Sequence, residues 1–471
     1  MLRSILETLF RWLVRNSVFI VLIPLYRWLA IRERFENGKK SLVLFPQTKN
    51  KKKVLALSAE EYRGDLEVLA SLKGFRIFTI DRKWQTRLIT CFYSRNLQGQ
   101  PGIVARHYNA NSISDPKIYE AKRFAQEFMS KFLGHLYRCL PIDVVLLYNV
   151  RYLRDLDWAE VSKKLGIVYL VIFREAMVLT SDTFESFSRR HREFGRFKGD
   201  HIVVSNLLLK RCFIEPGFAN EKEVTVGGIL RVDGLIKRLD EQKPEVPPPL
   251  VTMFWWSVHL FEGQEFTRLT TEAIEAFAEL AMVNPGVNFI VKPKPIHVRP
   301  TKYINRKMKF RKGPSSFFQL KEFGNRQIDI EKILDRVYPE WMIVGNISIE
   351  PWLDAHYLIM KSRVICAFNS MTMFESALAK KPVIVPYFDY FRESINSSKY
   401  GYHEFLDIFD VARTKHELKT LIEWRLSDNV IEPTVQERRE ALFSSHVSDL
   451  SSGSSAARVG ALITDLVKKN I

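Results

Sequence analysis

The most constraining feature of this sequence is a repeated alternation between short apolar runs and longer stretches with helical spacing. In the first half the apolar runs are VLALSA (54–59), FRIFTI (75–80), DVVLLY (143–148), IVYLVIF (167–173) and HIVVS (201–205). The helical stretches between them are residues 61–72, 116–137, 157–165 and 183–197. Because the runs are apolar throughout instead of alternating, they predict parallel strands that are buried on both faces. The alternation of such strands with helices predicts an α/β fold.

A proline-rich segment divides this pattern into two halves. PEVPPPL (244–250) contains four prolines and predicts a stiff linker. After it the strand candidates are VTMFWW (251–256), NFIVKP (288–293), WMIVGN (341–346), RVICAF (363–368) and PVIVPYF (382–388), with helices near 268–283, 352–360 and 371–379. A chain of 471 residues has room for two or three domains. We therefore predict two α/β domains, at 41–243 and 251–415, followed by C-terminal helices at 416–471.

The N-terminus combines basic charge with apolar side chains. Residues 1–53 contain twelve Lys or Arg and three acidic residues, in a chain whose net charge is +18. Apolar residues and tryptophans lie between these charges, and the uncharged stretch from Asn16 to Tyr26 is too short for an ordinary transmembrane helix. We predict that residues 1–40 form an amphipathic helical segment on an anionic membrane surface, with residues 1–53 as the contact region. The alternatives are an amphipathic helix packed on the protein and, less favoured, a membrane-spanning helix.

Several function classes lack support in the sequence. The four cysteines include no CxxC pair, so no disulfide framework or cysteine-based zinc site is predicted. P-loop, GxGxxG, HExxH and GxSxG signatures are absent, and the basic charge lies beside membrane-type apolar residues instead of a nucleic-acid motif. Asp155 and Asp157 have the D-x-D spacing of a metal-bound diphosphate site, but they directly precede a predicted helix and are better interpreted as its cap. We expect no metal, no cofactor and no nucleic-acid partner.

The strongest functional pattern lies in VICAFNSMTMFESALAKKPVIVPYFD (364–389). Asn369, Ser370 and Thr372 stand where a predicted strand ends and a helix begins, so hydroxyl groups, backbone N–H groups and the helix dipole can together hold a phosphate. Glu375 lies one turn inside the helix, where its carboxylate can accept hydrogen bonds from ribose or sugar hydroxyls. The alternative is a capping box formed by Thr372 and Glu375, which needs no ligand.

This stretch resembles the donor site of GT-B glycosyltransferases and of related surface-polysaccharide and glycerophosphate transferases. The resemblance rests on Ser370, Glu375 and the run Lys381 to Val383, with Lys380 in place of the usual glycine. VKPKP (291–295) resembles the K-P-H-P stretch of the same domain, with Lys294 replacing the histidine. VTVGGILRVDGL (224–235) resembles the G-x-x-R-x-D-x-L motif that closes the N-terminal domain, through Gly228, Arg231 and Asp233.

The resemblance implies a GT-B-like fold in which two Rossmann-like, doubly wound domains face a cleft. It implies a glycosyltransferase that moves a sugar from a nucleotide-sugar donor to a glycan or lipid-linked acceptor, for surface polysaccharide or lipopolysaccharide. It also implies a location at the cytoplasmic face of the inner membrane, as a peripheral or monotopic protein. A CDP-glycerol-type polyol-phosphate transferase and a non-catalytic polysaccharide-binding or export protein remain alternatives.

The catalytic base of such an enzyme should come from the N-terminal domain. Glu175 follows the most apolar predicted strand, which makes it the best candidate, although it can instead form an ion pair beside Arg174. His259, which follows VTMFWWS, is the second catalytic candidate, although a lone histidine is more often structural. Lys292, Lys294 and His297 are candidates for binding the donor phosphates, the alternative being a solvated loop.

Overall fold

The computed structural model of the chain describes residues 2–35, 39–42, 51–62, 64–174, 180–241, 249–255, 264–293, 298–300, 318–320, 328–395, 397, 400–446 and 454–469. The strands are β1 Ile31–Arg34, β2 Lys40–Leu42, β3 Lys52–Leu57, β4 Phe75–Ile80, β5 Val144–Leu147, β6 Val168–Ile172, β7 His201–Val204, β8 Val224–Val226, β9 Leu250–Trp255, β10 Asn288–Pro293, β11 Val298–Pro300, β12 Phe318–Leu320, β13 Ile328–Asp329, β14 Ile347–Ile349, β15 Val364–Ala367, β16 Val383–Pro386 and β17 Asp410–Ala412.

The helices are numbered in the same way. They are α1 Leu2–Arg15, α2 Phe19–Ala30, α3 Asp65–Ser71, α4 Arg82–Ile89, α5 Arg95–Gln98, α6 Ile103–Asn109, α7 Pro116–Cys139, α8 Leu153–Lys164, α9 Ser181–Phe194, α10 Leu207–Ile214, α11 Leu230–Asp240, α12 Gln264–Val283, α13 Ile330–Val337, α14 Trp341–Val344, α15 Ala355–Lys361, α16 Thr372–Leu378, α17 Asp389–Arg392, α18 Lys415–Ser427, α19 Pro433–His446 and α20 Ser455–Lys469.

The chain divides into two compact units. The N-terminal unit comprises Met1–Val178, Phe184–Gly234 and Ser444–Ile471, and the C-terminal unit comprises Leu179–Thr183 and Leu235–Phe443. Apart from the short segment Leu179–Thr183, the chain passes from the N-terminal to the C-terminal unit at residue 234, inside α11, about ten residues before the boundary expected from the proline-rich segment. It returns at residue 444, inside α19.

The sheet of the N-terminal unit has eight strands in the order β2-β1-β4-β3-β5-β6-β7-β8. The strands from β3 to β8 pair in parallel, whereas β1 pairs antiparallel with both β4 and β2. Along β3, Leu55 and Leu57 enter one hydrophobic core, and Val54 and Ala56 enter a second core. Since helices cover both faces, these strands contain no polar face, and the prediction from their continuous apolar runs is confirmed.

The sheet of the C-terminal unit has six strands in the order β14-β10-β9-β15-β16-β17, all parallel. A separate small sheet contains the short antiparallel strands β11, β12 and β13. Two α/β domains built on parallel sheets, as the sequence predicts, are thus confirmed.

The last helix belongs to the N-terminal unit although it is last in the sequence. Ala456, Val459, Ile463 and Val467 of α20 are buried in the same core as β3 and β4. Asp233 accepts hydrogen bonds from the backbone N–H groups of Ser455 (3.2 Å) and Ala456 (2.7 Å) at the start of α20. The expected group of C-terminal helices at 416–471 is therefore shared between the two units.

The first two helices are also part of the N-terminal unit. Phe10 and Leu13 of α1 and Leu22 and Tyr26 of α2 are buried in the core that contains Trp84 and Phe132. Tyr26 stacks edge-to-face on Phe132 at a centroid distance of 5.0 Å. Packing on the protein, the alternative considered from the sequence, is thus what these helices do on one face. None of the described helices is both long enough and apolar enough to span a bilayer.

One predicted strand is wrong. WMIVGN (341–346) was expected to be a strand, but Trp341–Val344 forms the short helix α14, and the strand β14 begins at Ile347. Gly345 ends the helix with a φ of 74°, a left-handed conformation that glycine adopts without steric cost. Short apolar runs do not distinguish strands from helices by periodicity, and this one lacked any further signal.

Candidate functional site

The candidate site lies at the carboxyl ends of the strands in the C-terminal unit. β9 is the first strand of this sheet along the chain, and its two neighbours are β10 on one side and β15 on the other. The point between β9 and β15 is therefore a topological switch point, where open parallel sheets bind ligands. Residues 368–371, which join β15 to α16, follow directly from this point.

The residues of this turn are tied to one another. Asn369 is buried and has a φ of 46°, and its side-chain Oδ1 accepts a hydrogen bond from Gly401 N at 3.1 Å. The Thr372 hydroxyl donates to Ser370 Oγ at 3.0 Å. The left-handed residue turns the chain sharply, so that Ser370 and Thr372 are presented together between the strand and the helix.

The capping box considered from the sequence does not form. The residue before the first turn of α16 is Met371, without a side-chain capping hydrogen bond, and Thr372 is already helical. Glu375 is instead buried, 2% exposed, with its Oε2 3.7 Å from Nε2 of His356 in α15. The carboxylate of Glu375 is thus held inside the first turn of α16, beside a side chain of the neighbouring helix α15.

Trp255 is a site residue that sequence reasoning missed. It ends β9, is buried, and stacks on Phe266 and Phe368 at centroid distances of 6.2 Å each. Its indole Nε1 has no hydrogen-bond acceptor among the described residues. Buried indole N–H groups normally find a partner, so this donor marks the switch point as a place where an acceptor group can be added. The only sequence signal was its position at the end of an apolar run.

Lys292 lies at the same edge but on the other side of β9. In the strand pairing Lys292 is level with Phe254, and Phe254 is level with Ala367, so two interstrand spacings, about 10 Å, separate Lys292 from β15. Its Nζ donates to the carbonyl oxygen of Pro351 at 2.9 Å, which follows β14. Burial raises the pKa of Glu350, and the nearby Lys292 partly opposes that shift. This hydrogen bond joins the Lys292 ammonium group to the segment that follows β14, on the opposite side of β9 from Ser370.

The other candidate residues fall outside the described ranges. These are Glu175, His259, Lys294 and His297. The structure therefore brings together Asn369, Ser370, Thr372 and Glu375, places Lys292 at the far side of the same edge, and leaves the two catalytic candidates as predictions.

Lys380 occupies a position that favours glycine. Its φ is 55°, and Lys381 N donates to Ser376 O at 3.0 Å, five residues back, which is the hydrogen bond of a Schellman motif at the end of α16. This geometry explains why the resembled motif has glycine here. The Lys381 side chain donates from Nζ to Met360 O at 3.0 Å, and burial lowers the pKa of its ammonium group.

The G-x-x-R-x-D motif is structural in this chain. Arg231 N donates to Asp65 Oδ1 at 2.8 Å, and Asp233 caps α20 as described above. Asp65 also lies 3.3 Å from Nε of Arg174, which further donates to the carbonyl oxygen of Glu61. The motif therefore links α11, α3 and α20 within the N-terminal unit.

The D-x-D pair lies inside its helix and does not cap it, so the cap predicted from the sequence is wrong. α8 begins at Leu153, so both aspartates lie inside the helix. Asp157 accepts hydrogen bonds from Tyr93 (2.9 Å) and Gln126 (3.1 Å) and contacts His107 (3.0 Å), whereas Asp155 contacts Ser58. No cluster of three or more potential metal-ligating acids, histidines or cysteines occurs in the part of the chain that the structure describes.

Comparison with known proteins gives remote structural similarity. No protein-family model and no curated protein sequence matches the chain. A solved UDP-N-acetylglucosamine 2-epimerase has 13% identity and a TM-score of 0.48, covering 88% of this chain and 96% of its own. The glycotransferase of kitacinnamycin has 14% identity and a TM-score of 0.43, covering 90% and 100%. An α,α-trehalose-phosphate synthase (UDP-forming) from Burkholderia vietnamiensis has 11% identity and a TM-score of 0.43, covering 88% and 97%.

Proposed function

We propose that the protein is a glycosyltransferase that takes a sugar from a nucleotide-sugar donor. The observation that carries this proposal is the turn at Asn369–Thr372, which ends next to the switch point, presents two hydroxyl groups together and leads into a helix in which Glu375 is buried. The hydroxyl groups of Ser370 and Thr372 are suited to donor phosphates, and the Glu375 carboxylate to ribose or sugar hydroxyls. The unpartnered Trp255 N–H supplies one further donor at the same place.

Donor binding to the purified protein tests this proposal directly. Calorimetric titration with UDP-, GDP-, CMP- and CDP-linked sugars and with CDP-glycerol should identify one nucleotide class that binds. A sugar-linked donor would support the glycosyltransferase, CDP-glycerol would indicate a polyol-phosphate transferase, and no binding at all would contradict an enzymatic role.

Three variants locate the donor. Glu375→Gln keeps the size of the side chain and removes its charge, so we expect donor affinity to fall at least tenfold, because a hydrogen bond to a charged group contributes about 1.5–3 kcal/mol. Trp255→Phe should lower donor affinity severalfold. Thr372→Ala tests whether the Thr372 hydroxyl only stabilises the start of α16. A loss of stability with unchanged donor affinity would contradict its role in donor binding.

We further propose that the N-terminal unit attaches to the cytoplasmic face of the inner membrane, where the acceptor is a glycan or a lipid-linked sugar. α1 and α2 bury one face, but Leu9, Trp12, Ile20, Val21 and Trp28 on the same two helices remain exposed, a group that we call the apolar ridge. Arg11 and Arg15 are exposed beside it. Exposed tryptophans with neighbouring arginines suit an anionic bilayer interface.

Point variants are the appropriate test because α1 and α2 are part of the core, so a truncation would disrupt the fold. Trp12 and Trp28 are 55% and 59% exposed, and Trp352 in the C-terminal unit, at 57%, is a matched control. Trp12→Ser with Trp28→Ser should abolish most binding to vesicles that contain anionic lipid. Trp352→Ser should bind like the wild type, and equal binding by all variants would contradict membrane attachment through the ridge.

A further inference from the structure

The sheet of the N-terminal unit has its own topological switch point. β3 comes first among its parallel strands and lies between β4 and β5, so the chain runs to one side of β3 and later to the other. Ser58 directly follows β3, and Tyr148 directly follows β5. A ligand that binds this sheet is expected just beyond these two residues.

One arginine is held rigidly at this point. Arg154, near the start of α8, donates from Nε to Ser58 Oγ at 3.3 Å and from Nη2 to the Tyr148 hydroxyl at 2.7 Å. Its guanidinium carbon lies 4.2 Å from the centroid of the Tyr152 ring. Ser58 itself has a φ of 54°, a strained conformation for a residue with a side chain. The local backbone and two aromatic residues therefore fix the orientation of this guanidinium group.

The contacts leave one edge of the guanidinium fork unused. Nε and one N–H of Nη2 are bonded, so the remaining donors are the two N–H groups of Nη1 and the second N–H of Nη2. No protein acceptor for Nη1 occurs among the described residues, while the side chain as a whole is only 13% exposed. Arginine presents this edge as a planar fork that matches the oxygens of a phosphoryl group.

A nearby carboxylate compensates the charge without closing that edge. Asp155 Oδ2 lies 3.6 Å from Nε of Arg154, and its Oδ1 accepts a hydrogen bond from Ser58 at 3.4 Å. Asp155 is thus on the Nε side of the fork. It neutralises the arginine when the ligand is absent and leaves Nη1 available.

We propose that Arg154 binds a phosphoryl group of the acceptor at the switch point of the N-terminal sheet. The identification of the ligand as the acceptor rests on the proposed glycosyltransferase function, but the binding of a phosphoryl group does not. Ser58 and Tyr148 are positioning residues that act through Arg154. The phosphoryl group belongs either to a soluble phosphate or to a lipid-linked one, and both offer the same oxygens to the fork.

Calorimetric titration with inorganic phosphate and with farnesyl phosphate, at low salt, tests the proposal and separates the two sources. We expect the wild type to bind at least one probe, and tighter binding of farnesyl phosphate would indicate a lipid-linked acceptor. Arg154→Met leaves Asp155 buried without its partner, so the double variant Arg154→Met, Asp155→Asn is measured as well. We expect this double variant to fold and to bind at least tenfold more weakly.

Arg82 provides a matched control. It follows β4 at the same edge, is half exposed, and pairs with Glu61 at 3.0 Å. Arg82→Met should bind both probes within twofold of the wild type. Tyr148→Phe should weaken binding less than the double variant does, because it removes only one contact that orients the guanidinium group.

Two results would overturn the proposal: no binding of either probe by the wild type, or equal binding by the wild type and the double variant. The nucleotide-sugar titration is run on the same proteins. If phosphate binding depends on Arg154 but no nucleotide sugar binds, the proposed function fails and this site stands. If nucleotide sugar binds normally and the double variant leaves phosphate binding unchanged, the proposed function stands and the Arg154 site fails.

Discussion

The two sheets each have a switch point with a left-handed residue beside it, yet the two places are chemically different. In the N-terminal unit Ser58 hydrogen-bonds to two charged side chains, Arg154 and Asp155, which lie 3.6 Å from each other. In the C-terminal unit Asn369 lies near aromatic rings, with the Trp255 N–H unpartnered. The N-terminal switch point thus contains a mostly buried pair of oppositely charged side chains. The C-terminal switch point contains a buried indole N–H group without a hydrogen-bond acceptor among the described residues. The first site suits an acceptor substrate that carries a phosphoryl group. The second suits a nucleotide sugar, whose oxygen atoms can accept a hydrogen bond from the indole.

The largest expected effect concerns the cost of the buried carboxylate in the N-terminal unit. Burial raises the pKa of Asp155 to about 6, against partial compensation by Arg154 and Ser58. A carboxyl group with a raised folded pKa holds its proton more tightly when folded, so its contribution to stability is lost as the pH rises from about 4 to about 6. A shift of about two units corresponds to roughly 3 kcal/mol.

We therefore expect Asp155→Asn to gain stability relative to the wild type across that pH window. Urea unfolding at pH 4.5 and 7.5 measures the difference, and the attraction of Arg154 for the ionised carboxylate is already included in the folded pKa of Asp155. A stability difference that stays constant between the two pH values would show that burial does not destabilise the ionised Asp155 carboxylate. The proposed chemical contrast between the two switch points would then fail.

The same contrast shows what the sequence could and could not predict. The buried strands were predictable because both faces of each sheet are covered, and the turn at Asn369–Thr372 was predictable because its chemistry is local. β1, IRER, was missed because it is mostly charged. It is stabilised by partners far along the chain: Glu33 pairs with Arg76 at 2.7 Å, and Arg34 pairs with Glu67.

Site residues that act through tertiary contacts were not predictable either. His356 approaches Glu375 from another helix, and Ser58 meets Arg154 from a position 96 residues away. The unpartnered N–H of Trp255 is visible only once its neighbours are placed. Local patterns thus located the turn of the candidate donor site, and the long-range contacts required the fold.

An intermediate effect is expected at Ser58. Glycine would relieve its left-handed backbone, but the hydroxyl is buried and bonds to both Arg154 and Asp155. Removing a hydrogen-bond partner from buried charged groups costs about 1–3 kcal/mol, and glycine loses about 0.5–1 kcal/mol more in conformational entropy, against about 1–2 kcal/mol of strain relieved. We expect Ser58→Gly to lower the free energy of unfolding by about 1–2 kcal/mol in urea titrations. An increase in stability would mean that strain, and not hydrogen bonding, dominates at this switch point.

The smallest expected effect is at Lys380, where a left-handed residue has no comparable role. Its φ is 55°, and unlike Ser58 it is exposed at the end of α16. The left-handed conformation costs a residue with a Cβ about 1–2 kcal/mol, whereas glycine avoids that cost but loses more conformational entropy on folding, about 0.5–1 kcal/mol. The strain relieved exceeds the entropy lost by only a little, so Lys380→Gly should raise the free energy of unfolding by up to about 1 kcal/mol. Urea unfolding should show this gain as a higher midpoint with an unchanged slope. Donor affinity should stay within twofold, because the Schellman hydrogen bond from Lys381 N to Ser376 O needs only the backbone. A clear loss of stability would show that the Lys380 side chain makes a necessary contact. The left-handed backbone would then have a side-chain role at Lys380 as well as at Ser58, and the proposed difference between these two positions would be wrong.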